Sequence, residues 1–284
     1  MKTLFLFIDG LGISSLTESN PFHFCRDSLL YKIIYESDPV YTCKPIDALL
    51  GIDGLPQSGT GHVTILTGKN AAADLQKHHG PFPHTTHRDW LLNDSIASWC
   101  NLSNKKWDIL NAYPPPYFKA LEERRIRLSA FGYIQTVHGK KMYSADDLTK
   151  HSGFPSLLTF NKLEIFGVKL PAYSPKETVN YLLGLFNKID LGIIEYFALD
   201  HLGHDQNIDA AVDRINEISH FLEELKPFRN QLSVIITSDH GNIEDCSSKS
   251  HTLNPVPFIT NRSFGQTVIS LVDIKSVLIE SLTI

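Results

Sequence analysis

The sequence predicts an α/β protein with a doubly wound, mostly parallel sheet and helices on both faces of that sheet. Three short runs rich in Ile, Leu, Val and Phe stop abruptly near an acidic residue, as buried parallel strands do at the edge of a sheet. These runs cover residues 4–8, 193–199 and 232–237. Amphipathic helical patterns lie between them, and this alternation is typical of open parallel sheets.

Further elements follow from the same patterns. Short apolar or β-branched segments predict strands at residues 108–112, 127–133 and 256–260. Apolar side chains at helical spacing predict helices over residues 208–225 and 271–282. In sheets of this kind ligands collect at the carboxyl ends of the strands. We therefore expect the acidic residues that follow the strands to share one edge.

A capping box predicts the start of another helix. Ser174 and Glu177 stand three residues apart, and Pro175 occupies the first helical position, where its missing N–H costs nothing. Apolar side chains at helical spacing follow over residues 179–186. The box therefore predicts that this helix begins at Pro175.

Composition limits the class of protein. The chain has 284 residues, of which 42% are hydrophobic and 20% charged, so it can bury an ordinary core. The net charge is −5 and no run of Lys or Arg exceeds a pair, which disfavours nucleic acid or a membrane surface as a partner. We expect one domain over residues 1–284, with its core motifs in 1–70 and 190–265. Residues 80–170 are expected to form partly a lid or insertion.

Cysteine spacing and the N-terminal run indicate the compartment. The four cysteines are widely spaced and form no CxxC pair. The apolar run at residues 4–8 is too short for a signal core or a membrane span. We therefore expect a reduced, cytoplasmic protein, and the sequence predicts no oligomeric state.

Carboxylates and imidazoles recur at the predicted strand ends. Each of them alone is more often a cap than a ligand, but their repetition after separate strands favours a metal site. Mixed nitrogen and oxygen ligands suit Zn²⁺ or Mn²⁺ better than Ca²⁺, and six ligands are enough for two ions. The candidate ligands are Asp9, Asp200, His204, Asp239, His240 and His251.

A candidate nucleophile lies in the Gly-rich segment 54–68. Ser58 stands on a turn that enters a short predicted helix, which Gly68 would end. There a hydroxyl would meet free backbone N–H groups and the positive end of the helix, both favourable to a phosphate and to an alkoxide. An ordinary serine N-cap is the alternative reading.

Five motifs in order resemble those of the alkaline phosphatase superfamily. Within it they are most similar to the metalloenzyme domain of cofactor-independent phosphoglycerate mutase and phosphopentomutase. The motifs are Phe7-Ile8-Asp9-Gly10-Leu11-Gly12, Ser58-x-x-Gly61-His62, Asp200-x-x-x-His204, Asp239-His240-Gly241-Asn242 and His251-Thr252-x-Asn254-Pro255-Val256-Pro257.

This resemblance implies a division of the ligands between two divalent ions, Zn²⁺ or Mn²⁺. One ion would be held by Asp200, His204 and His251. The other would be held by Asp9, Asp239, His240 and the oxygen of the nucleophile. Ser58 matches the phosphorylated residue because it precedes Gly61-His62 by three positions, and Thr60 is the alternative.

Other polar residues near the motifs are candidates for substrate binding. His62 and His201 stand inside motifs, and Lys69 follows the nucleophile helix. Lys77, His78, His79 and Arg88 are weaker candidates, and a solvated side chain is the alternative for each. The chain departs from the mutase in its middle, where about 120 residues replace a large substrate-gripping domain and no matching arginine pattern occurs.

The predicted function is two-metal phosphoryl transfer to and from a small-molecule phosphate ester, through a phosphoserine at Ser58. Hydrolysis of a phosphomonoester is the preferred reaction. A phosphomutase and a phosphodiesterase are alternatives within the same chemistry. A sulfatase is disfavoured, because the Cys/Ser-x-Pro-x-Arg context is absent around Ser58. From a different class, a non-catalytic binding protein stabilised by metals is the rival.

Overall fold

The computed structural model describes residues 1–159 and 172–284, so part of the predicted lid lies outside the described residues. The described strands are β1 (Lys2–Ile8), β2 (Thr42–Ile46), β3 (Trp107–Ile109), β4 (Asn111–Tyr113), β5 (Tyr143–Ser144), β6 (Phe154–Pro155), β7 (Leu191–Tyr196), β8 (Leu232–Thr237) and β9 (Val256–Thr260). The described helices are α1 (Leu29–Tyr35), α2 (Ser58–Thr67), α3 (Ala71–Leu75), α4 (Arg88–Asn93), α5 (Ile96–Leu102), α6 (Pro115–Glu122), α7 (Ala130–Val137), α8 (Ala145–Leu148), α9 (Pro175–Leu185), α10 (Ala198–His204), α11 (Ile208–Leu225) and α12 (Ile274–Thr283).

The main sheet has six strands in the order β2-β9-β8-β1-β7-β3. Strands β3, β7, β1 and β8 run parallel, whereas β9 and β2 are antiparallel additions at one side. Phe7 of β1 pairs with Glu195 of β7 and with Thr237 of β8. The three strands therefore end level with one another, and the segments that follow them share one edge.

Helices cover both faces of this sheet, which confirms the predicted fold class. Alternate side chains of β1 point to opposite sides. Leu4, Leu6 and Ile8 join a buried cluster with α1, α9 and α11, while Phe5 and Phe7 join a second cluster with α2, α5, α7 and α12. Both clusters are fully apolar, so burial on the two faces holds the sheet in place.

Several predicted helices are confirmed. Ser174 caps α9 in a capping box with Glu177, and the second predicted helix coincides with α11. The C-terminal helix begins with a 3₁₀ turn at Leu271–Asp273 that leads into α12. Gly68 ends α2 in the left-handed conformation at φ 68°, as a C-terminal glycine does. Among residues 1–159 and 172–284, no helix combines the length and the hydropathy needed to cross a membrane.

The strand predicted at 127–133 is wrong. This segment forms α7, because Ser129 caps a helix by accepting from the N–H of Gly132, and Phe131 and Ile134 then pack on one helical face. The strand predicted at 108–112 is broken at Leu110 into β3 and β4, which belong to different sheets. The apolar run at 193–199 also divides: β7 ends at Tyr196 and the rest enters α10.

The middle of the chain adds one strand to the main sheet and a small sheet beside it. Strand β3 pairs with β7, while β5, β4 and β6 form a separate three-stranded sheet. Leu110, Phe154 and Leu158 belong to the same buried cluster as α11. The ring of Phe154 lies 6.0 Å from that of Phe221 in α11. The described part of the middle therefore shares a core with the two ends of the chain.

The four cysteines are free thiols. Cys25, Cys100 and Cys246 are buried, and Cys43 is half-buried. Burial raises the pKa of Cys25 and of Cys246 to about 11. Both thiols therefore stay protonated and weakly nucleophilic at neutral pH.

The shared core gives a test of the single-domain prediction. We expect Phe154→Ala to lower the free energy of unfolding of the whole chain by about 3–5 kcal/mol, because it leaves a cavity against α11. Chemical denaturation followed by both circular dichroism and tryptophan fluorescence should show one transition at a lower midpoint. Phe24→Ala, at an exposed position, is the control. A second transition whose midpoint is unchanged by substitutions in α11 would show that the middle of the chain folds independently of the two ends.

Candidate metal centre

The six predicted ligands come from four segments that meet at the carboxyl edge of the main sheet. Asp9 follows β1, and Asp239 and His240 follow β8. Asp200 and His204 lie one turn apart on α10, directly after β7. His251 comes from the loop between β8 and β9. The structure brings all of them together in three overlapping groups whose ligand atoms lie within 4.8 Å of one another: Asp200, His204 and His251; Asp9, Asp200 and His240; and Asp9, His62 and Asp239.

The first group, which we call the outer cluster, consists of Asp200, His204 and His251 and is half-buried. Nε2 of His204 lies 3.3 Å from Oδ2 of Asp200 and 3.3 Å from Nε2 of His251. Nε2 of His251 lies 3.7 Å from Oδ1 of Asp200. Three ligand atoms therefore face one common point.

The outer cluster fits a cation because of how its two rings are oriented. Nδ1 of His204 lies 2.6 Å from the carbonyl oxygen of Lys249, and Nδ1 of His251 lies 2.7 Å from that of Pro56. A carbonyl can only accept, so both Nδ1 atoms carry hydrogens and the two Nε2 atoms are the ones that face Asp200. In this orientation the Nε2 lone pairs of both rings would be available to a cation beside the carboxylate.

The second group, the inner cluster, consists of Asp9, Asp239 and His240 and is almost completely buried. Nε2 of His240 lies 3.3 Å from Oδ1 of Asp9 and 3.2 Å from Oδ2 of Asp239. Neither of these carboxylate oxygens has a hydrogen-bond donor. Buried carboxylates without donors are costly, whereas a divalent cation would bind both.

The pKa values of the two inner carboxylates shift in opposite directions, because burial and repulsion dominate at Asp9 whereas nearby histidines dominate at Asp239. Burial, and then the nearby charge of Asp239, raise the pKa of Asp9 well above its usual value. Burial also acts to raise the pKa of Asp239, but the charges of His240 and His62 outweigh it and the pKa falls. Two carboxylates so close together cannot both ionise freely without added positive charge.

Ser58 lies at the first position of α2, directly beside the inner cluster. Its Oγ is 3.0 Å from Nε2 of His240, and the residue is buried. Thr60, the alternative nucleophile, faces elsewhere: its hydroxyl donates to the carbonyl of Gln57 and accepts from the N–H of His79. The geometry therefore places Ser58, rather than Thr60, at the candidate centre.

One expectation about the start of α2 needs correction. The N–H of Thr60 is not free for a phosphate, because it donates to the carbonyl of His79 at 2.8 Å. The loop that carries His79 lies so close that a Cβ on Gly59 would meet its carbonyl oxygens at 2.3 and 2.6 Å. The sequence pattern around Ser58 showed a helix start but not the loop that covers it.

A glycine lets α2 approach the end of β8. A Cβ on Gly61 would lie 2.7 Å from Cβ of Asp239, closer than side chains can pack. Gly61 therefore allows Ser58 and Asp239 to lie on touching segments. A larger residue at this position would push the nucleophile away from the inner cluster.

The predicted substrate-binding residues have different locations. His62 is buried, with Nε2 3.1 Å from Asp239 and 3.6 Å from Asp9. Burial acts to lower the pKa of His62, but the charges of Asp239 and Asp9 outweigh it and raise the pKa well above its usual value. The imidazole ring of His62 packs against the rings of Phe7 and Phe131, with ring centroids 4.7 and 5.2 Å apart. His62 therefore lies between the inner cluster and these two buried aromatic side chains.

The other two predicted substrate-binding residues, His201 and Lys69, differ in their distance from Ser58. His201 is exposed and lines a cleft that also contains Ser58. Lys69 does not join the site, since it lies beyond the far end of α2, about 15 Å along the helix from Ser58. It pairs with Asp94 at 2.6 Å and lies over the ring of Trp90. Closeness along the chain did not mean closeness in space, because a helix separates them.

Sequence reasoning missed Glu244, which joins three of the motif loops. Its buried carboxylate accepts from the backbone N–H of Gly12 at 3.1 Å and of Asn242 at 2.8 Å. It also accepts from the hydroxyl of Thr252 and from the side-chain amide of Asn254 at 3.0 Å. Glu244 thus links the loops of Asp9, Asp239 and His251. Nothing in its local sequence marks this role.

Asn242 and Glu195 were also missed. The Asn242 amide donates to Oδ1 of Asp200 at 2.7 Å and so orients that ligand. Glu195 is buried in β7 and accepts from Ser129 at 3.2 Å, and burial raises its pKa although the charge of His62 acts to lower it. A glutamate inside an otherwise apolar strand could have been used to predict a site residue, because charged side chains are rarely fully buried unless they have a partner.

A cleft opens above Ser58 and divides into two arms. Ser58, Pro81 and Asp200 line both arms. The first, which we call the polar arm, has a volume of about 310 Å³ and contains Lys249 and the outer cluster histidines. The second, the aromatic arm, has a volume of about 370 Å³ and extends over Asp9 toward α6. Both volumes are within the range of ligand sites in proteins.

Comparison with known proteins identifies the family to which the chain belongs. The family model described as "Metalloenzyme superfamily" matches residues 1–280. The chain is 30% identical over 125 residues to the 2,3-bisphosphoglycerate-independent phosphoglycerate mutase of Mycoplasma genitalium, covering 40% of this chain and 24% of that protein. It is 36% identical over 114 residues to the corresponding mutase of Ehrlichia canis, covering 37% and 22%. The matches thus span about a quarter of the length of these relatives.

Solved structures resemble the whole chain. The alkaline phosphatase of the Antarctic bacterium TAB5 aligns with a TM-score of 0.54 at 15% identity, covering 99% of this chain and 98% of that one. A phosphoglycerate mutase of Leishmania mexicana, determined at low cobalt concentration, aligns with a TM-score of 0.50 at 10% identity, covering 99% and 95%. At such identities the likeness establishes a shared fold.

The network around Glu244 gives a prediction about metal affinity. We expect Glu244→Gln to weaken divalent metal binding by about 10–100-fold, because the amide can no longer accept from all four donors and the ligand loops loosen. Titration of the metal-free protein with Zn²⁺ or Mn²⁺ in a calorimeter measures this loss. Glu122→Gln, on the exposed face of α6, is the matched control. Unchanged affinity in Glu244→Gln would contradict the role assigned to this carboxylate.

Proposed function

The chain belongs to the Metalloenzyme superfamily, and on that premise we propose that it hydrolyses a phosphomonoester through a phosphoserine formed at Ser58. The observation that carries this proposal is the position of the Ser58 hydroxyl, 3.0 Å from Nε2 of His240 and beside the inner cluster, where Oδ1 of Asp9 and Oδ2 of Asp239 are buried without a hydrogen-bond partner. A serine hydroxyl is a weak nucleophile at neutral pH, and proximity to a cation is one established way of activating it.

We propose two divalent ions, Zn²⁺ or Mn²⁺, one in each cluster. Asp200, His204 and His251 would hold the first, and Asp9, Asp239 and His240 would hold the second together with Ser58. When bound, such ions lower the pKa of a coordinated hydroxyl and neutralise the charge of a transferring phosphoryl group. The ligand set suits both metals, since each accepts imidazole and carboxylate.

The chain's own residues supply the orientation for the reaction. The first turn of α2 and the contact with His240 hold Ser58 Oγ at the floor of the cleft, facing the place where both arms meet. Attack by this oxygen forms the Oγ–P bond while the bond from phosphorus to the alcohol oxygen breaks in line; the hydroxyl proton of Ser58 passes to solvent, and the alcohol oxygen takes up one proton from solvent as it leaves. Water then attacks the phosphoserine, which releases inorganic phosphate and restores the hydroxyl.

A phosphomutase is the second candidate, favoured because the matching relatives are phosphoglycerate mutases. In that reaction the phosphoryl group would return to another hydroxyl of the same substrate. Hydrolysis is preferred because the arginine pattern of the mutase's substrate-binding domain is not matched here: among the described residues that line either arm, Arg127 is the one arginine. Arg88 lies over the ring of Tyr133 instead, and Arg125 pairs with Glu123.

We further propose a small-molecule phosphate ester as the partner and the cytoplasm as the location. A net charge of −5 and the absence of long basic runs favour a small substrate over nucleic acid. A phosphodiester in place of the monoester is an alternative within the same chemistry. A substrate panel of monoesters and diesters distinguishes the two by which class is turned over faster.

The nucleophile assignment predicts an inactive variant whose outer cluster still binds its ion. We expect Ser58→Ala to abolish formation of a phosphoprotein and to reduce turnover by several orders of magnitude, as removal of a nucleophile does. Mass spectrometry after rapid acid quenching detects the added phosphoryl group on Ser58 in the parent protein. The fold should be unchanged, because the substitution removes only one oxygen.

Thr60→Ala is the control for this experiment, since Thr60 lies in the same helix turn but faces the loop of His79. If the Ser58→Ala protein is still active and phosphorylated while the Thr60→Ala protein is inactive, the nucleophile is Thr60 and the assignment of Ser58 is wrong. Metal binding with no phosphoprotein and no turnover of any ester would favour the rival, a non-catalytic protein stabilised by metals.

The two-cluster arrangement predicts the metal stoichiometry. We expect about two divalent ions per chain in the parent protein and about one in His204→Ala, because that substitution removes a ligand of the outer cluster alone. Elemental analysis by plasma mass spectrometry after dialysis gives both values. His220→Ala, at an exposed position of α11, is the control and should keep both ions. A single ion in the parent protein would show that only one cluster is a metal site.

A further inference from the structure

The aromatic arm of the cleft differs in chemistry from the metal centre that it adjoins. Its walls are formed mainly by Phe82, Tyr113, Tyr117, Ile126 and Phe197. These residues come from separate segments of the chain: the loop after α3, the end of β4, helix α6, the segment before α7 and the start of α10. An apolar wall assembled from so many segments, directly beside a polar centre, is typical of a site that holds the organic part of a ligand.

Two of the aromatic side chains are held rigidly. The rings of Tyr113 and Tyr117 are stacked, with centroids 4.3 Å apart and planes inclined by 13°. Tyr113 is buried at the end of β4, and Tyr117 is half-buried above it. Three consecutive prolines at residues 114–116 restrict the backbone between them. The stacked pair thus offers a flat surface that loses little freedom when a ligand ring binds.

The charges along the aromatic arm disfavour a second acidic group on the ligand. The lining contains three carboxylates, Asp9, Glu195 and Asp200, against Arg127 and the imidazoles of His62 and His201. Metal ions would offset Asp9 and Asp200, but Glu195 lies outside both clusters. A substrate with a carboxylate next to its phosphate would therefore find one arginine in the arm and the carboxylate of Glu195 near it.

We propose that the substrate is a phosphate monoester of an uncharged alcohol that carries an aromatic or heteroaromatic ring, and that this ring lies in the aromatic arm against Tyr117. This inference rests on the proposed function for the position of the phosphate at Ser58. It adds the class of the leaving alcohol, for which the arm supplies apolar contact and ring stacking.

The test compares two esters whose leaving alcohols have similar reactivity, 2-phenylethyl phosphate and ethyl phosphate. We expect kcat/KM to be about tenfold or more higher for the phenylethyl ester, because its ring is removed from water in the arm. We expect Tyr117→Ala to lower this preference about threefold to tenfold, and Ile126→Ser to lower it as well. Tyr117→Phe should keep the preference, since it retains the ring. Phe24→Ala, remote and exposed, is the matched control for loss of an aromatic residue.

Binding of non-hydrolysable analogues separates this inference from the proposed function. Calorimetry of the protein reconstituted with Mn²⁺ compares 2-phenylethylphosphonate with ethylphosphonate. If no ester is turned over but the phenylethyl compound binds about tenfold more tightly, and Tyr117→Ala removes that difference, the aromatic arm is a ligand site and only the hydrolase is wrong. Equal rates and equal binding of the two compounds, or a preference that Tyr117→Ala and Ile126→Ser leave unchanged, would overturn the inference. Failure of both phosphonates to bind would overturn it together with the proposed function.

Discussion

Concentrated negative charge at one edge of the sheet is the constraint on which the rest of this structure depends. Asp9, Asp200 and Asp239 end or follow three adjacent parallel strands, and the fold holds them within a few ångströms of one another. In the inner cluster this happens out of contact with solvent, where like charges repel strongly and hydration is lost. Histidine rings offset part of that cost and divalent cations would offset the rest, so the charges that repel one another are also the charges that suit a metal ion.

The loops that carry the ligands are held by a second layer of hydrogen bonds. Glu244 and Asn242 contact backbone and side-chain groups of the loops rather than facing the cleft. Carbonyl groups of Lys249 and Pro56 select the tautomers of His204 and His251. A metal site needs its ligand atoms positioned to within a few tenths of an ångström, and these contacts supply that precision from outside the clusters.

The middle of the chain has two roles. Through Leu110 and Phe154 it extends the hydrophobic core, and through Tyr113, Tyr117 and Arg127 it forms one side of the cleft. The ends of the chain thus contribute the two clusters and Ser58, while the middle contributes most of the aromatic side of the cleft. Under the function proposed above, the first part would face the phosphate and the second would face the organic group.

Local patterns were sufficient to predict the alternation of strands and helices, the capping box at Ser174 and the set of candidate ligands. Those features depend on residues near one another in sequence, through periodicity and the chemistry of single side chains. The helix at residues 130–137 was mistaken for a strand, because a short apolar segment suits both structures until Ser129 is seen to cap it. The tertiary structure alone decided that Lys69 is remote, that Glu244 joins three loops and that Tyr113 and Tyr117 line the same cleft as Ser58. Each of these depends on segments dozens or hundreds of residues apart that meet only when both faces of the sheet are covered, and no local pattern records such a meeting.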